Sequence, residues 1–392
     1  MSPKPLCDKG GEGQEIDLDE SLAVYKEDEE PVLELERGEQ HQSRYVRCFK
    51  IWGMIVCSMI AVFIIVYLFA HGIGDEVHIA GKVENVNCKV GSAEASSFKV
   101  MTFNTFLIYC AAGLVKCQDE GKRKKRVQEM SNWFKDRNED VLLFQEVWSL
   151  HLELKHAMAD AGFCHFVMTN ERFGSGLAIF SKFPIIEQDF RNWYDVFGIG
   201  NALTPEFTNK EALFADMGVL YAKIQKSNDT ALHILNLHTS SDMDGDNHDL
   251  RMEQFSVTKQ FLNSMEIPST EMVLVGGNYN EDKDCRENVC AEQLPVCENQ
   301  MHYKEMIDIL SVDMLDNISN QTFTYDTTVN KLAFELYAGL DCSYQQLQLD
   351  YIFYNQEHLI PTNSSSCQTI VAQDPFGGDL SDHFPVSCTF HY

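Results

Sequence analysis

The sequence predicts a mixed, layered α/β domain carried behind one membrane-spanning helix, on three observations. A single uncharged apolar run, IWGMIVCSMIAVFIIVYLFA, fills Ile51 to Ala70. Beyond it, short runs rich in Val, Ile, Leu and Phe recur with the character of strands. Amphipathic stretches of helical period lie between those runs. That alternation suits sheets layered with helices rather than a bundle or a solenoid, and no internal repeat is present.

The apolar run matches the roughly 20 residues needed to cross a bilayer core. A buried soluble helix would be shorter and amphipathic, and a signal peptide would not begin fifty residues into the chain. Arg44, Arg47 and Lys50 precede the run, whereas Asp75 and Glu76 are the first charges after it. The positive flank predicts a cytoplasmic N-terminus and an extracellular or lumenal C-terminal domain, a type II single-pass topology. Residues 1–50 carry 13 Asp and Glu against 7 Lys and Arg and read as an acidic, disordered cytoplasmic tail. Ten of the 13 cysteines lie beyond the run, an even number that suits disulfides in an oxidising compartment. The glycosylation triplets at Asn228, Asn317, Asn320 and Asn363 also all lie beyond it.

Residues 71–97 lack periodicity and read as a juxtamembrane linker. The domain then occupies residues 98–392, with its first strand at 97–104, SFKVMTFN. Further strands are expected at 140–148, 175–185, 219–225, 231–239, 272–278, 348–355 and 385–392, and helices at 126–137 and 248–265. In VLVGGNYN, the Val-Leu-Val run predicts a buried strand ending in a tight turn at Gly276-Gly277. The chain's net charge of −28 provides no basic footprint for nucleic acid and is compatible with a site that gathers divalent cations.

Polar residues capable of chemistry fall at the ends of these strands: Asn104, Glu146, His238, Asn278, Asn280, Asp350, Asp382 and His383. Taken singly, each has an ordinary explanation, Asn104 as a turn former, Glu146 as a capping carboxylate, His238 as a satisfied strand end. Their joint order is more specific. A Glu can hold Mg²⁺ through hard oxygen, a His paired with an Asp can accept a proton from water, and a second His and side-chain amides can meet charge developing on phosphate.

In that order, FNTF, FQEVW, GLAIFSKFPI, LNLHTSSD, GGNYN, LDYIFYN and SDHFPVSCTF, spread over about residues 98–392, resemble the endonuclease/exonuclease/phosphatase superfamily. FTNKEALFADMGVLYAKI, RMEQFSVTKQFLNS, YKEMIDIL and FTYDTTVNKLAFE look most like the secreted bacterial neutral sphingomyelinases and their animal relatives. The resemblance implies a four-layer α/β sandwich, two packed mixed sheets flanked by helices, with a Mg²⁺-dependent site at one edge. It further implies hydrolysis of sphingomyelin or a related phospholipid to ceramide and phosphocholine. Carried over, it makes Glu146 the metal carboxylate with Asp382 beside the metal, and Asn104 a neighbour of metal and phosphate. His383 becomes the base, oriented by Asp350; His238 the stabiliser of the pentacovalent phosphorus; Asn280 a phosphate ligand.

Two positions depart from the pattern. Asn278 stands where the family's Gly-Asp-x-Asn has an Asp that orients or polarises water, and Asn cannot carry that charge. Glu281 and Asp282 follow and offer replacement charge. Met217, in Asp216-Met217-Gly218, stands where such sphingomyelinases carry a Lys. These departures keep a weakened enzyme or a binding ectodomain in view, beside a nuclease or an inositol- or sugar-phosphate hydrolase on the same scaffold. The basic run Lys122 to Arg126 reads as a solvated helix start or an anionic-lipid contact. Cys285, Cys290 and Cys297 read as disulfide partners rather than metal ligands. Trp193, Tyr194 and Phe197 read as a lipid-facing loop or as core.

Overall fold

A computed structural model describes residues 79–83, 96–109, 117–169, 174–193, 217–227, 230–242, 247–283, 298–315, 323–337, 345–363 and 365–392. All of them belong to one compact unit, Ala70–Tyr392. The tail, the Ile51–Ala70 run, most of the 71–97 linker, Asp216, Tyr194, Phe197, three of the four glycosylation triplets and the Cys285–Cys297 cluster lie outside the described residues. Among the described residues no helix is long and apolar enough to cross a membrane.

The strands, in order, are β1 (Ile79–Lys82), β2 (Ser97–Asn104), β3 (Val141–Gln145), β4 (His165–Met168), β5 (Ala178–Ser181), β6 (Ile185–Asn192), β7 (Gly218–Ser227), β8 (Thr230–His238), β9 (Met272–Asn278), β10 (Val312–Asp313), β11 (Tyr325–Asp326), β12 (Gln346–Leu347), β13 (Asp350–Asn355), β14 (Ser366–Thr369) and β15 (Val386–His391). The helices are α1 (Glu120–Lys135), α2 (His151–Asp160), α3 (His248–Ser264), α4 (Glu298–Leu310) and α5 (Lys331–Tyr337). Two mixed sheets result, one ordered β1-β4-β5-β3-β2-β15-β14 and the other β10-β13-β9-β8-β7-β6. Each contains one parallel pair, β2 with β3 and β8 with β9.

Three apolar slabs make the layering. Val100, Leu143 and Ile179 from the first sheet meet Leu220, Ile234 and Leu274 from the second between the sheets. Val127, Met130 and Phe134 of α1, with Leu154 and Met158 of α2, cover the outer face of the first sheet through Met101, Phe103 and Phe144. Phe255 and Phe261 of α3, with Met306 and Leu310 of α4, cover the second through Val273, Val275 and Phe353. Strands buried on both faces read as continuous apolar runs, which is why β3 and β9 are legible as VLLF and MVLV.

Two expectations change, and one alternative is decided. The 175–185 stretch is two strands in different sheets, because the chain crosses between them at Lys182-Phe183-Pro184 and Pro184 has no N–H for a ladder. Gly276 and Gly277 lie inside β9, not in a turn. A Cβ on Gly276 would sit 2.6 Å from Leu143 of the facing sheet, and one on Gly277, at φ +148°, 2.0 Å from the Leu237 carbonyl oxygen. Both glycines therefore permit close approach of backbone and sheet. Trp193 is core, its Nε1 donating to Thr258 Oγ1. Cys367 and Cys388, opposite each other on β14 and β15, form a disulfide, and Cys117 and Cys164 are each disulfide-bonded.

Candidate active site

Sheet register assembles most of the site. The parallel pairing of β8 and β9 sets His238 beside Asn278, and the antiparallel pairing of β9 and β13 sets Asn278 beside Asp350. Neighbouring residues in register present side chains on one face, so these three share a rung at the sheet's end. In the other sheet Asn104 pairs with Gln145, and Glu146 follows directly. The sheets are held at this level by a buried amide bridge, Gln145 Nε2 donating to Asn236 Oδ1 at 2.7 Å. Neither residue is singled out by sequence reasoning, although a polar letter inside each apolar strand marks them.

Asn104 Nδ2 donates to Glu146 Oε1 at 2.9 Å, while Asn104 Oδ1 accepts from the Phe106 N–H at 3.1 Å. The amide thus fixes the carboxylate. Phe106, Glu146 and Asn280 all have positive φ (49°, 57° and 48°), a conformation that costs L-residues and persists only where surroundings impose it. His238 Nε2 lies 3.9 Å from Glu146 Oε1, beyond hydrogen-bond range. His383 faces Asp350, with Nδ1 to Oδ2 at 2.8 Å and both side chains buried. With Nδ1 donating to the carboxylate, Nε2 is the nitrogen able to take a proton. The Tyr325 ring packs edge-on 5.1 Å from the His383 ring. Asn278 Oδ1 accepts from the Asn280 N–H at 3.0 Å, and Asn280 Nδ2 donates to the Thr239 carbonyl at 2.7 Å.

Burial draws the His383 proton affinity down, but Asp350, Asp382 and Glu146 outweigh it and push the pKa up to about 9. Burial, reinforced by the charge on His383 and only partly opposed by Asp350, holds His238 down to about 4. Asp382 is raised, chiefly by burial, against the pull of His383, the Ser381 hydroxyl and Arg126.

Arg126 is the residue whose role the sequence hides. The run Lys122 to Arg126 is not a uniformly solvated face: Arg123 and Arg126 are buried on the inner side of α1, while Lys122, Lys124 and Lys125 are exposed. Arg126 Nη1 donates to the carbonyls of Thr105 and Leu380, both at 2.8 Å, and Nη2 to that of Phe106 at 2.5 Å. It ties the end of β2 to the loop carrying Asp382 and His383. The only signal is its spacing, since Arg123 and Arg126 continue the helical stripe of Val127, Met130 and Phe134.

Both departures acquire surroundings. Met217 belongs to the apolar core beneath α3. Glu281 does not supply the charge that Asn278 lacks, because Arg251 Nε holds its Oε1 at 2.6 Å, and Asp282 Oδ1 accepts from the Gln348 N–H at 3.3 Å. The donor set of Glu146, Asp382 and the amide oxygen of Asn104 is all hard oxygen and fits Mg²⁺. Buried Asp382, disfavoured as an anion, is the kind of carboxylate that a cation would stabilise.

Among curated proteins, the chain is 25% identical over 323 residues to Sphingomyelinase C of Leptospira interrogans, covering 75% of this chain and 51% of that protein. It therefore spans about half the length of that relative. It is 24% identical over 355 residues to Sphingomyelinase C of Bacillus cereus, covering 82% of this chain and 96% of that one. Among solved structures, a mutant of Staphylococcus aureus beta toxin with bound magnesium ions superposes with a TM-score of 0.53 at 19% identity, over 76% of this chain and all of that one, a likeness of fold. The family model for the endonuclease/exonuclease/phosphatase family matches residues 101–383, spanning every strand-end residue of the cleft, and this chain belongs to that family.

Proposed function

We propose that the chain is a Mg²⁺-dependent phosphodiesterase that hydrolyses sphingomyelin or a closely related phospholipid, releasing phosphocholine. The observation that carries this reading is the buried Asp350–His383 pair at 2.8 Å, with Asp350 on the same rung as Asn278 and His238, and His238 3.9 Å from the Glu146 carboxylate that Asn104 holds. The names of the curated relatives support the substrate class.

His383 Nε2 accepts the proton of the attacking water, while Asp350 fixes the ring and stabilises the imidazolium. His238, neutral at physiological pH, donates a hydrogen bond toward the phosphorus oxygens or the leaving group. The second N–H of the Asn280 amide is available to a phosphate oxygen, its first being used by Thr239. Glu146, oriented by Asn104, and Asp382 would hold Mg²⁺. Bound there, the ion supplies Lewis-acid charge on a phosphate oxygen.

A lipid surface is further supported by the 371–380 hairpin, which runs into Ser381-Asp382-His383. Its turn is tied by Asp374 Oδ1, which accepts from the Phe376 and Gly378 N–H groups, and Phe376 is 89% exposed at the tip. A type II anchor at Ile51–Ala70, with the domain outside or in a lumen, would hold the cleft near such a surface. A nuclease reading loses Arg123 and Arg126, whose guanidinium groups are consumed inside the protein.

The deciding assay is phosphocholine release from sphingomyelin vesicles by the full-length chain, with Mg²⁺ and with chelator. Metal-dependent release that climbs with pH as His383 sheds its proton is the expected result. Binding to the vesicles with no release in any metal or at any pH would establish a lipid-binding ectodomain instead.

A further inference from the structure

Glu281, one residue beyond Asn280, points into a second cluster built from three segments. His248 begins α3, Glu281 follows β9, and His302 lies near the start of α4. One ligating atom from each falls within 4.8 Å of the other two. His248 Nδ1 is 3.3 Å from Glu281 Oε1, and His248 Nε2 is 3.5 Å from Glu305 Oε2. Glu305 is three residues along α4 from His302 and shares its face. The two imidazoles stack with centroids 3.4 Å apart and planes at 13°.

We propose that His248, through Nδ1, Glu281 and His302 form a Zn²⁺-type site distinct from the phosphodiester cleft, with Glu305 on the His248 Nε2 side as an outer-shell partner that orients the ring. Two imidazoles in van der Waals contact cannot both be cations, and metal binding needs neutral rings. Ligand atoms around a tetrahedral ion with bonds of about 2.0–2.1 Å stand roughly 3.4 Å apart, close to the 3.3 Å between His248 Nδ1 and Glu281 Oε1. Mixed imidazole and carboxylate donors suit zinc, whereas Mg²⁺ prefers oxygen alone. Among the described residues, Arg251 is the cation held in the cluster: Nε donates to Glu281 Oε1 at 2.6 Å, and Nη1 and Nη2 clasp Asp242 at 2.6 and 3.1 Å. Arg251 is shared between Asp242 and Glu281, so with Glu305 the three carboxylates outnumber it by two negative charges, enough to offset a dication, and the clasp fixes the Glu281 carboxylate as outer-shell partners do. A metal here would fasten the segment bearing Asn278 and Asn280 to α3 and α4.

The test uses tag-free, full-length, chelator-stripped protein carrying Glu146→Gln, which silences the cleft. Zn²⁺ is titrated by calorimetry in excess Mg²⁺, and Co²⁺ by visible absorption. One Zn²⁺ per chain, insensitive to Mg²⁺, with a tetrahedral Co²⁺ spectrum, is expected. His248→Ala and His302→Ala should each weaken binding by at least the roughly 10–100-fold that outer-shell losses cost. Absence of binding, or undiminished binding in His302→Ala, overturns the proposal. Should His302→Ala also melt lower in chelator, Glu305→Gln decides: Zn²⁺ affinity weakened by roughly 10–100-fold, as for a lost outer-shell partner, upholds the site, and unchanged affinity overturns it.

Discussion

His383 and His238 stand in one cleft, both largely shielded from water, and the protein holds their protons in opposite ways. His383 has a carboxylate at hydrogen-bond distance and two more nearby; His238 has Glu146 only at 3.9 Å, and among the described residues its Nδ1 finds no hydrogen-bond partner. Burial acts alike on both. What separates them is the Asp350 contact and, through it, the charge on His383, which itself denies a proton to His238. Two residues of identical chemistry are thus poised as a base and a neutral donor by one buried aspartate.

Breaking that arrangement at its centre has the largest expected effect. His383→Ala should lower phosphodiester hydrolysis toward the upper end of the roughly 10²–10⁴-fold range of a lost general base, with KM for vesicles little changed. Asp350→Asn, which keeps the shape and removes the charge, should cost on the order of 10²-fold. It also tests the coupling itself: in an NMR titration of the metal-free protein, His383 should fall from about 9, and His238 should rise from about 4 because relief from the His383 charge outweighs the loss of the smaller upward pull of Asp350 itself. A His238 resonance that does not move would sever the two sides of the comparison.

Stability should record the same opposition. Between about pH 4 and the ordinary histidine value of about 6.5, the unfolded chain takes a proton that folded His238 refuses, so stability falls as pH drops. His383 does the reverse. Its raised value makes its contribution complete below about 6.5 and lost as pH climbs toward about 9. Each window represents on the order of 3 kcal/mol. Denaturant melts of metal-free protein should therefore lose part of their acid limb in His238→Gln and part of their alkaline limb in His383→Gln.

The strand ends were readable because their neighbours are apolar on both faces, so Asn104, His238 and Asn278 each interrupt a continuous run. Chain order then placed them at one rim. The rest depends on contacts across elements. Arg126 looks solvated because a charged letter in a basic run gives no sign that the carbonyls of Thr105, Phe106 and Leu380 await it from other segments. Gly276 and Gly277 look like a turn because their need for space comes from Leu143 and Leu237, which lie on other strands. His248 and His302 stand on separate helices, and no periodicity in either announces that they stack. Periodicity reports which face of an element is covered, not which atoms cover it.

Asn278 sharpens the comparison with the smallest change. It sits between His238 and Asp350 on their shared rung, and its Oδ1 already accepts from Asn280. Asn278→Asp keeps that acceptor and adds a negative charge beside His238. The new charge should raise His238 above about 4, and it would polarise water where the family pattern places a carboxylate. Against this stands the repulsion of a second anion next to Asp350, which burial makes costly. If charge on the water is the limiting deficit, hydrolysis at neutral pH should rise about tenfold, a change of ~1.4 kcal/mol in the barrier. A fall in rate with a raised His238 would mean that the neutral state of His238 matters more than the missing carboxylate, and that Asn278 is the residue that preserves it.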